Sequence, residues 1–558
     1  MRSFTSLVTR RRGEDRHLGQ CSGMTPEYGL SYRPLTNDTQ QPSIVQGKMK
    51  RLAIFVGLAL LALGPVGSSS ARNSFVAGTL DTSFSAGRVV THTPVPNESA
   101  SIEAVAVQPD GKIVVAAVSG RGDHGLLLAR YVPSSALETS FGDGGYVETP
   151  VGDWANAEAI ALQPDGKIVV AGTRSPQAGE DVQSEFALAR YNPNGSLDTS
   201  FGTDGITSTV IPESPPPSTP TSWSLPPFAD VSSLAILPGG EILVGGSAGF
   251  EIESNFMYGS TVTSFFALAR YGPDGSLDTA FGDGGIVQTR FDGDLTLSGI
   301  ALRPDGRIVA VGSASGGEHP YYTSRTVAVR YNPDGSLDPT FGHVGKVATS
   351  AAFYFDGGPF ALLENGRIVV SGQTHDGLAW FARFTANGRI DNTFGKQGYA
   401  KVERPAASHV LAQRDGKVVF AAYDSTDGLG LSTVYRLLPD GRLDTSFGTG
   451  KPLELPGAVS TLALQPDQKI LLGGGDGDMW TLARLVGGNN CVVPGLHGKT
   501  VRKADAELKA SYCLRGSIAK QFSSTVRRGR VISTLPVRAA RLPGGTRVNL
   551  VVSRGKRP

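Results

Sequence analysis

One pentapeptide in the chain, Gly245-Gly246-Ser247-Ala248-Gly249, has the spacing of a hydrolase nucleophile. A serine in such a string acts when a strand-to-helix turn exposes it and an acid and a histidine follow. Here no helical pattern follows, and related segments read Ala-Gly-Thr, Val-Gly-Ser or Ser-Gly-Gln at the same place, so no catalytic residue is expected. A recurring aspartate (Asp81, Asp198, Asp278, Asp338, Asp391, Asp444) invites a calcium reading. Calcium takes about six to eight oxygens around one ion, and one carboxylate per segment falls short of that. A side-chain bond to the local turn, or a pair with the recurring arginine typified by Arg270 before Asp278, suits these aspartates better. The eight histidines are dispersed, and Cys491 and Cys513 have no second Cys or His pair at zinc spacing, so neither metal nor cofactor is expected. No phosphate loop or dinucleotide fingerprint occurs. Arg121-Gly122-Asp123 spells an adhesion-type tripeptide inside a Gly-rich stretch, where chance suffices.

The elements around these residues repeat. The fullest copy runs from Ala157 to Gly205, as AEAIALQPDGKIVVAG and then FALARYNPNGSLDTSFGTDG. Its first half recurs at Val105–Val115, Leu234–Val244, Ile300–Val309, Ala361–Val370, Leu411–Phe420 and Leu462–Leu472. A Leu-Asp-x-x-Phe element or a near variant ends at Phe84, Phe141, Phe201, Phe281, Phe341, Phe394 and Phe447. In the second copy, strands are expected near Tyr146–Thr149, Ala159–Gln163, Lys167–Gly172 and Phe186–Tyr191, with a Pro-Asp-Gly turn between the middle two. Seven four-stranded units cannot bury both faces of each sheet alone. Set radially, each covers its neighbour, so a seven-bladed β-propeller over 72–488 is expected.

Spacing also predicts a binding face. From each arginine to the next phenylalanine, Arg130 to Phe141 through Arg436 to Phe447, the separation is eleven residues. The Pro-Asp-Gly turns are fixed too, whereas the two other connections vary in length. Consecutive antiparallel strands alternate ends, so both variable connections share one face. Variable loops on a fixed frame are where ligands bind. The candidate ligand-binding residues are Trp154, Trp223, Phe256, Tyr258, Tyr321 and Tyr322, aromatic side chains able to stack on a carbohydrate or anchor a protein.

Charge divides the chain. The formal net charge is +2, but 491–558 carry 15 basic and two acidic residues, whereas 72–490 carry 28 basic and 44 acidic. A basic tail on an acidic body suits a polyanion partner or docking on its own body. Met49-Lys50-Arg51 followed by the apolar run Leu52–Leu63 reads as an export signal over 49–71, too short to span a bilayer comfortably. Residues 1–48 read as a disordered extension or a mis-assigned start. In an exported chain, Cys491 and Cys513 are expected to form a disulfide.

The Leu-Asp-x-x-Phe-Gly and Pro-Asp-Gly-Lys-Ile-Val-Val-Ala-Gly elements resemble the delta-60 repeat family of β-propellers, from about Thr79 to Gly488. That resemblance implies the fold and no activity. Three copies depart from it: Ser85 replaces the glycine after Phe84, Gly239-Gly240 replaces Asp-Gly, and Asp467-Gln468 lacks the turn glycine. Beyond a linker, 489–558 form a basic tail whose V-P-G-L-H-G-K-T at Val493–Thr500, G-R-V-I-S-T-L-P at Gly529–Pro536 and L-P-G-G-T-R-V-N-L-V-V-S-R-G at Leu542–Gly555 are similar to the PASTA domain. A helix over Val501–Ala510 and strands over Cys513–Ala519, Arg530–Leu535 and Arg547–Ser553 give a small α+β unit. The resemblance implies a bacterial cell-wall role with peptidoglycan as partner; the basic charge adds, independently, an attraction to an anionic wall polymer, with Lys499, Arg527, Arg528 and Arg530 as candidate contacts. The resulting expectation is a mainly β, secreted, monomeric, non-catalytic binding or scaffold protein that takes no nucleic acid. The competing expectation is an extracellular propeller hydrolase or lyase acting on a carbohydrate.

Overall fold

A computed structural model describes residues 77–92, 100–119, 125–151, 154–155, 157–175, 183–212, 227–253, 260–316, 323–349, 358–374, 376–424, 430–450, 452–476, 479–488, 491–542 and 546–557. The 49–71 export segment and the 1–48 extension lie outside them.

Seven antiparallel sheets follow one another along the chain. Blade 1 is built from Ala100–Val107, Ile113–Ser119, Gly125–Tyr131 and Tyr146–Pro150, in that order from its inner to its outer edge. Blades 2 to 6 occupy 154–209, 228–289, 294–348, 360–405 and 407–456. Blade 7 takes three strands from 458–485 and its fourth, Val90–His92, from the start of the domain, in register Val90↔Leu482 to His92↔Trp480. The innermost strands touch one another in sequence, and that of blade 7 touches that of blade 1, so the blades close into a ring. Seven apolar clusters fill the seven seams; Ile102, Val115, Leu127 and Trp480 pack the one that closes the circle. The second strand of each blade, such as Ile168–Ser175, begins as an uninterrupted apolar run because both of its faces are covered.

One expected boundary is corrected. The strand Tyr146–Pro150 pairs with Gly125–Tyr131 and completes blade 1, so it does not open blade 2. The physical reason is a tight return. In blade 2, Asn192 N–H donates to Ser196 O (2.8 Å), Asp198 N–H to Arg190 O (2.8 Å) and Gly205 N–H to Phe201 O (2.9 Å). These bonds lay the following strand, Ile206–Thr209, against the one just left. The fixed arginine-to-phenylalanine spacing is therefore a turn within a blade. Both variable connections still share one face, because each outer strand ends where the loop between the two middle strands lies.

Two of the departures from the repeat keep the glycine conformation. Gln468 has φ 68°, where the sister turn glycine Gly111 has φ 89°, and its N–H still donates to Gln465 O at 2.8 Å. Ser85 has φ 47°, close to the 55° of Gly142.

The tail has a three-stranded sheet, Leu514–Gln521, Arg547–Ser553 and Val531–Leu535, with Arg547–Ser553 in the middle. A helix, Val501–Ala510, covers it, burying Ala504 and Leu508 against Val548, Leu550 and Val552. Thr500 caps the helix by accepting from Lys503 N–H at 3.3 Å. A short pairing of Cys491–Val492 with Arg541–Leu542 was not expected from the sequence. Cys491 and Cys513 form a disulfide.

Candidate functional site

The repeated charged residues are structural. In blade 4, Arg330 Nε lies 2.7 Å from Asp338 Oδ2, and Arg307 adds a second cation at 2.8 Å. The Arg330 guanidinium lies 4.8 Å from the Phe341 ring centroid and donates to Ala386 O of blade 5. Each blade repeats the arginine–carboxylate pair, with Glu138 as the acid in blade 1. In blade 7, Arg484 binds Asp81 (2.8 Å) and donates to Pro133 O of blade 1 (2.9 Å), which joins the two ends of the domain. Burial would raise the Asp338 carboxyl, but bonds from Thr340 and the Arg330 charge outweigh it and hold the group at about 2. These aspartates serve arginines and turns; among the described residues no group of three His, Cys, Asp or Glu side chains could hold a metal ion.

Ser247 is equally structural. It lies inside the extended strand Ile242–Glu253, is 6% exposed, and its Oγ accepts from Leu297 N–H of blade 4 at 2.8 Å. The homologous position in blade 2, Thr173, accepts from Val231 N–H at 2.9 Å in the same way.

Of the six aromatic candidates expected from the sequence, Trp154 lies in the short strand Trp154–Ala155, opposite Ser175. Trp223, Phe256, Tyr258, Tyr321 and Tyr322 fall outside the described residues. The variable face carries a groove that no motif announced. It is a cleft of about 650 Å³ at the seam of blades 5 and 6, lined by Asp376, Glu403, Arg404, Tyr423, Asp424 and Tyr435. Tyr423 is 40% exposed. Tyr435 stacks on Phe420 (centroids 5.2 Å apart), Phe420 meets Phe381 edge-on (5.0 Å), and the Arg404 guanidinium lies 5.5 Å from the Tyr435 centroid.

A second polar feature lines the axis. The inner strands of blades 1, 3, 4, 6 and 7 each break register once, between Ile102 and Ala104 in blade 1 and between Ala407 and His409 in blade 6. The skipped residues are Glu103, Ser232, Ser298, Ser408 and Ser460, on a free edge that borders the axis; Glu158 holds the matching place in blade 2. Burial, then the charges of Glu103 and Asp230, push the Glu158 carboxyl up to about 7. Burial also raises Glu103 and Asp230. Across the ring, burial drives His409 down to about 4, so its imidazole is neutral at pH 7. The mouth thus carries carboxylates on blades 1 to 3 and mostly small or hydroxyl residues on the others.

In the tail, Arg527 and Arg528 are exposed in the turn before Val531–Leu535. Lys499 is paired with Glu507, and Arg530 Nη1 donates to Gly498 O at 2.7 Å, so these two candidates also brace the fold. A cleft of about 410 Å³ opens between Pro494–His497 and Ile532–Thr534, where His497 Nδ1 lies 2.8 Å from Ile532 O. Leu535 and Val537 stand beside it, each about two-thirds exposed (66% and 65%).

Comparison with known families matches residues 108–141, 163–201, 258–281, 303–341 and 413–447 to a domain of unknown function, DUF5122 beta-propeller, and 492–554 to the PASTA domain. The repeats belong to the DUF5122 β-propeller family, and the tail is a PASTA domain. No curated protein matches the chain. Among solved structures, a polysaccharide lyase, PL25-Ulvanlyase, is similar at 11% identity and TM-score 0.41, over 71% of this chain and 96% of that one. The alpha-L-arabinofuranosidase of Fusarium graminearum is similar at 10% identity and TM-score 0.34, over 62% and 92%. A glucose dehydrogenase is similar at 11% identity and TM-score 0.31, over 71% and 99%. Likenesses this distant carry no argument about activity or ligand.

The PASTA domain rests on the turn face of the propeller, opposite the variable loops. Its Lys509 Nζ lies 4.0 Å from Glu364 in the blade 5 turn, which Arg414 of blade 6 also approaches (3.6 Å). Burial, helped by Asp415 in the blade 6 turn, raises the Tyr512 phenol. Leu514 and Arg547 wall a cleft of about 530 Å³ against Pro109, Asp110, Pro466 and Asp467 in the turns of blades 1 and 7. The propeller's loop face is left uncovered by this contact.

Proposed function

We propose that the chain is an exported, wall-associated binding or scaffold protein, in which the PASTA domain contacts peptidoglycan or an anionic wall polymer and the propeller presents its loop face to a ligand. The observation that carries this reading is the PASTA domain itself, with 15 basic residues against two acidic ones over 491–558 and Arg527 and Arg528 exposed. Its disulfide and the apolar run Leu52–Leu63 behind Met49-Lys50-Arg51 support export. The test is retention of the full chain on purified cell wall. Strong retention at low salt that falls as ionic strength rises is expected, with a further loss in a variant carrying Arg527→Ala and Arg528→Ala. Retention by neither wall nor isolated peptidoglycan at any salt would overturn the reading.

A second reading has one observation in its favour. A carboxyl raised to about 7 between two other acids is poised as a general acid at neutral pH, and Glu158 is such a group at the mouth of the ring. On this reading the propeller cleaves a glycan there. It requires turnover of a polysaccharide that Glu158→Gln abolishes; binding without turnover by the intact chain favours the first reading.

A further inference from the structure

We propose that the seam between blades 5 and 6 binds a linear oligosaccharide that is neutral or carries amino groups. This deepens the binding-protein reading and rests on it, since it names what the loop face takes.

Shape is the first observation. The cleft of about 650 Å³ shares Arg404, Tyr435 and Pro452 with a smaller one of about 100 Å³, so a single groove runs from the loop rim down the side of the ring. A groove of that form suits an extended chain, and its volume is that of ordinary ligand sites. The second observation is the aromatic surface. Tyr423 is exposed at the mouth and offers its ring, while Tyr435, between Phe420 and the Arg404 guanidinium, forms a fixed floor that presents its edge. The C–H face of a pyranose packs on such rings, while its hydroxyls need donors and acceptors around the edge. Glu403 and Asp424 can accept and Arg404 can donate, while Asp376 is held at the rim by Thr374 and Lys401.

Charge narrows the class. Three carboxylates meet the Arg404 guanidinium and the Lys401 ammonium, which lies 3.2 Å from Asp376, so the groove keeps a net negative charge that disfavours uronate, sulfate and phosphate groups relative to neutral or amino sugars. The groove and the basic PASTA domain therefore select opposite ligands. A peptide added as a strand is a poorer occupant, because Pro405 and Pro452 on the wall have no N–H to offer it.

The test titrates the full chain with four probes: a tetramer of β-1,4-linked N-acetylglucosamine, its deacetylated form, a tetragalacturonate and a tetralysine. One of the first two is expected to bind, and Tyr423→Ala to weaken it about tenfold, while Tyr423→Phe keeps it within about twofold. Tyr423 is exposed, so both variants should melt as the parent does. The proposal is overturned if neither sugar binds, if the galacturonate binds better than both, or if Tyr423→Ala leaves sugar affinity unchanged. Tetralysine binding that Glu403→Gln removes, without sugar binding, would make this a cationic-peptide groove instead. Wall retention should survive Tyr423→Ala; its absence in the parent chain would sink the wall reading and leave the groove standing.

Discussion

Asp278 and Asp338 occupy the same place in adjacent blades but keep different company. Asp338 is 2% exposed and meets both Arg330 and Arg307, whereas Asp278, 27% exposed, meets Arg270 alone. In blade 3 the second cation is replaced by Glu241. Removing Asp338 strands a buried guanidinium, which costs on the order of 3–5 kcal/mol. Asp338→Ala should therefore shift the denaturation midpoint far more than Asp278→Ala, expected to cost about 1 kcal/mol. Equal shifts would contradict the two-cation account. Titration gives a second outcome. Asp338 is held at about 2, below an unfolded value of about 3.9, so its contribution is present above the unfolded value and disappears as pH falls from about 4 to 2. Glu158 has the opposite sign. Raised to about 7, it binds a proton more tightly folded than unfolded, so stability falls as pH rises from about 4.5 to 7. Glu158→Gln should flatten that part of a Tm-against-pH curve; an unchanged slope would mean that another group sets it. Neither behaviour was legible in the sequence. The recurring arginines and aspartates suggested a pair; Glu103 and Glu158 do stand at the same place in their repeats, but nothing in that spacing says that the place borders the axis or that Asp230 joins them there.

At the scale of elements, the turn chemistry was readable and the sheet membership was not. Pro-Asp-Gly and Leu-Asp-x-x-Phe fixed where strands begin and end, but nothing local says whether Tyr146–Pro150 belongs to the blade before it or after. The decision lies in the backbone bonds that fold each outer strand onto its predecessor. The groove was missed for a similar reason, since Asp376, Glu403 and Tyr423 come from three separate segments of ordinary composition. In the PASTA domain the helix and its disulfide were both legible. Cys491 and Cys513 lie 22 residues apart, and a cross-link over a loop of that size contributes on the order of 3 kcal/mol. The Cys491→Ser, Cys513→Ser double variant should lower the PASTA melting transition by calorimetry and leave the propeller transition in place. A fall in both would show that the tail stabilises the ring.

For the whole molecule, seven near-copies dictated the ring, because only a closed circle covers every sheet on both faces. What the copies concealed is the means of closure, in which Val90–His92 finishes blade 7 and Asp81 receives Arg484 and Lys469. Deleting the chain through His92 leaves the strand Trp480–Leu485 with an open edge and Arg484 buried without its carboxylate. A loss of at least ~3–5 kcal/mol is expected, seen as an earlier, less cooperative melt. A variant that melts as the parent does would show that the clasp is dispensable.

Asp81 and Arg484 are 403 positions apart in the chain. Because a chain is made from its N-terminus, the stretch that holds Asp81 and Val90–His92 is complete long before its partner strand Trp480–Leu485 exists. The final blade cannot begin to zip early, and loop-closure entropy opposes its formation until the other six hold the two ends near each other. Assembly is thus gated by the last segment to arrive, and a truncated product of the seventh repeat is left with no route to a finished circle.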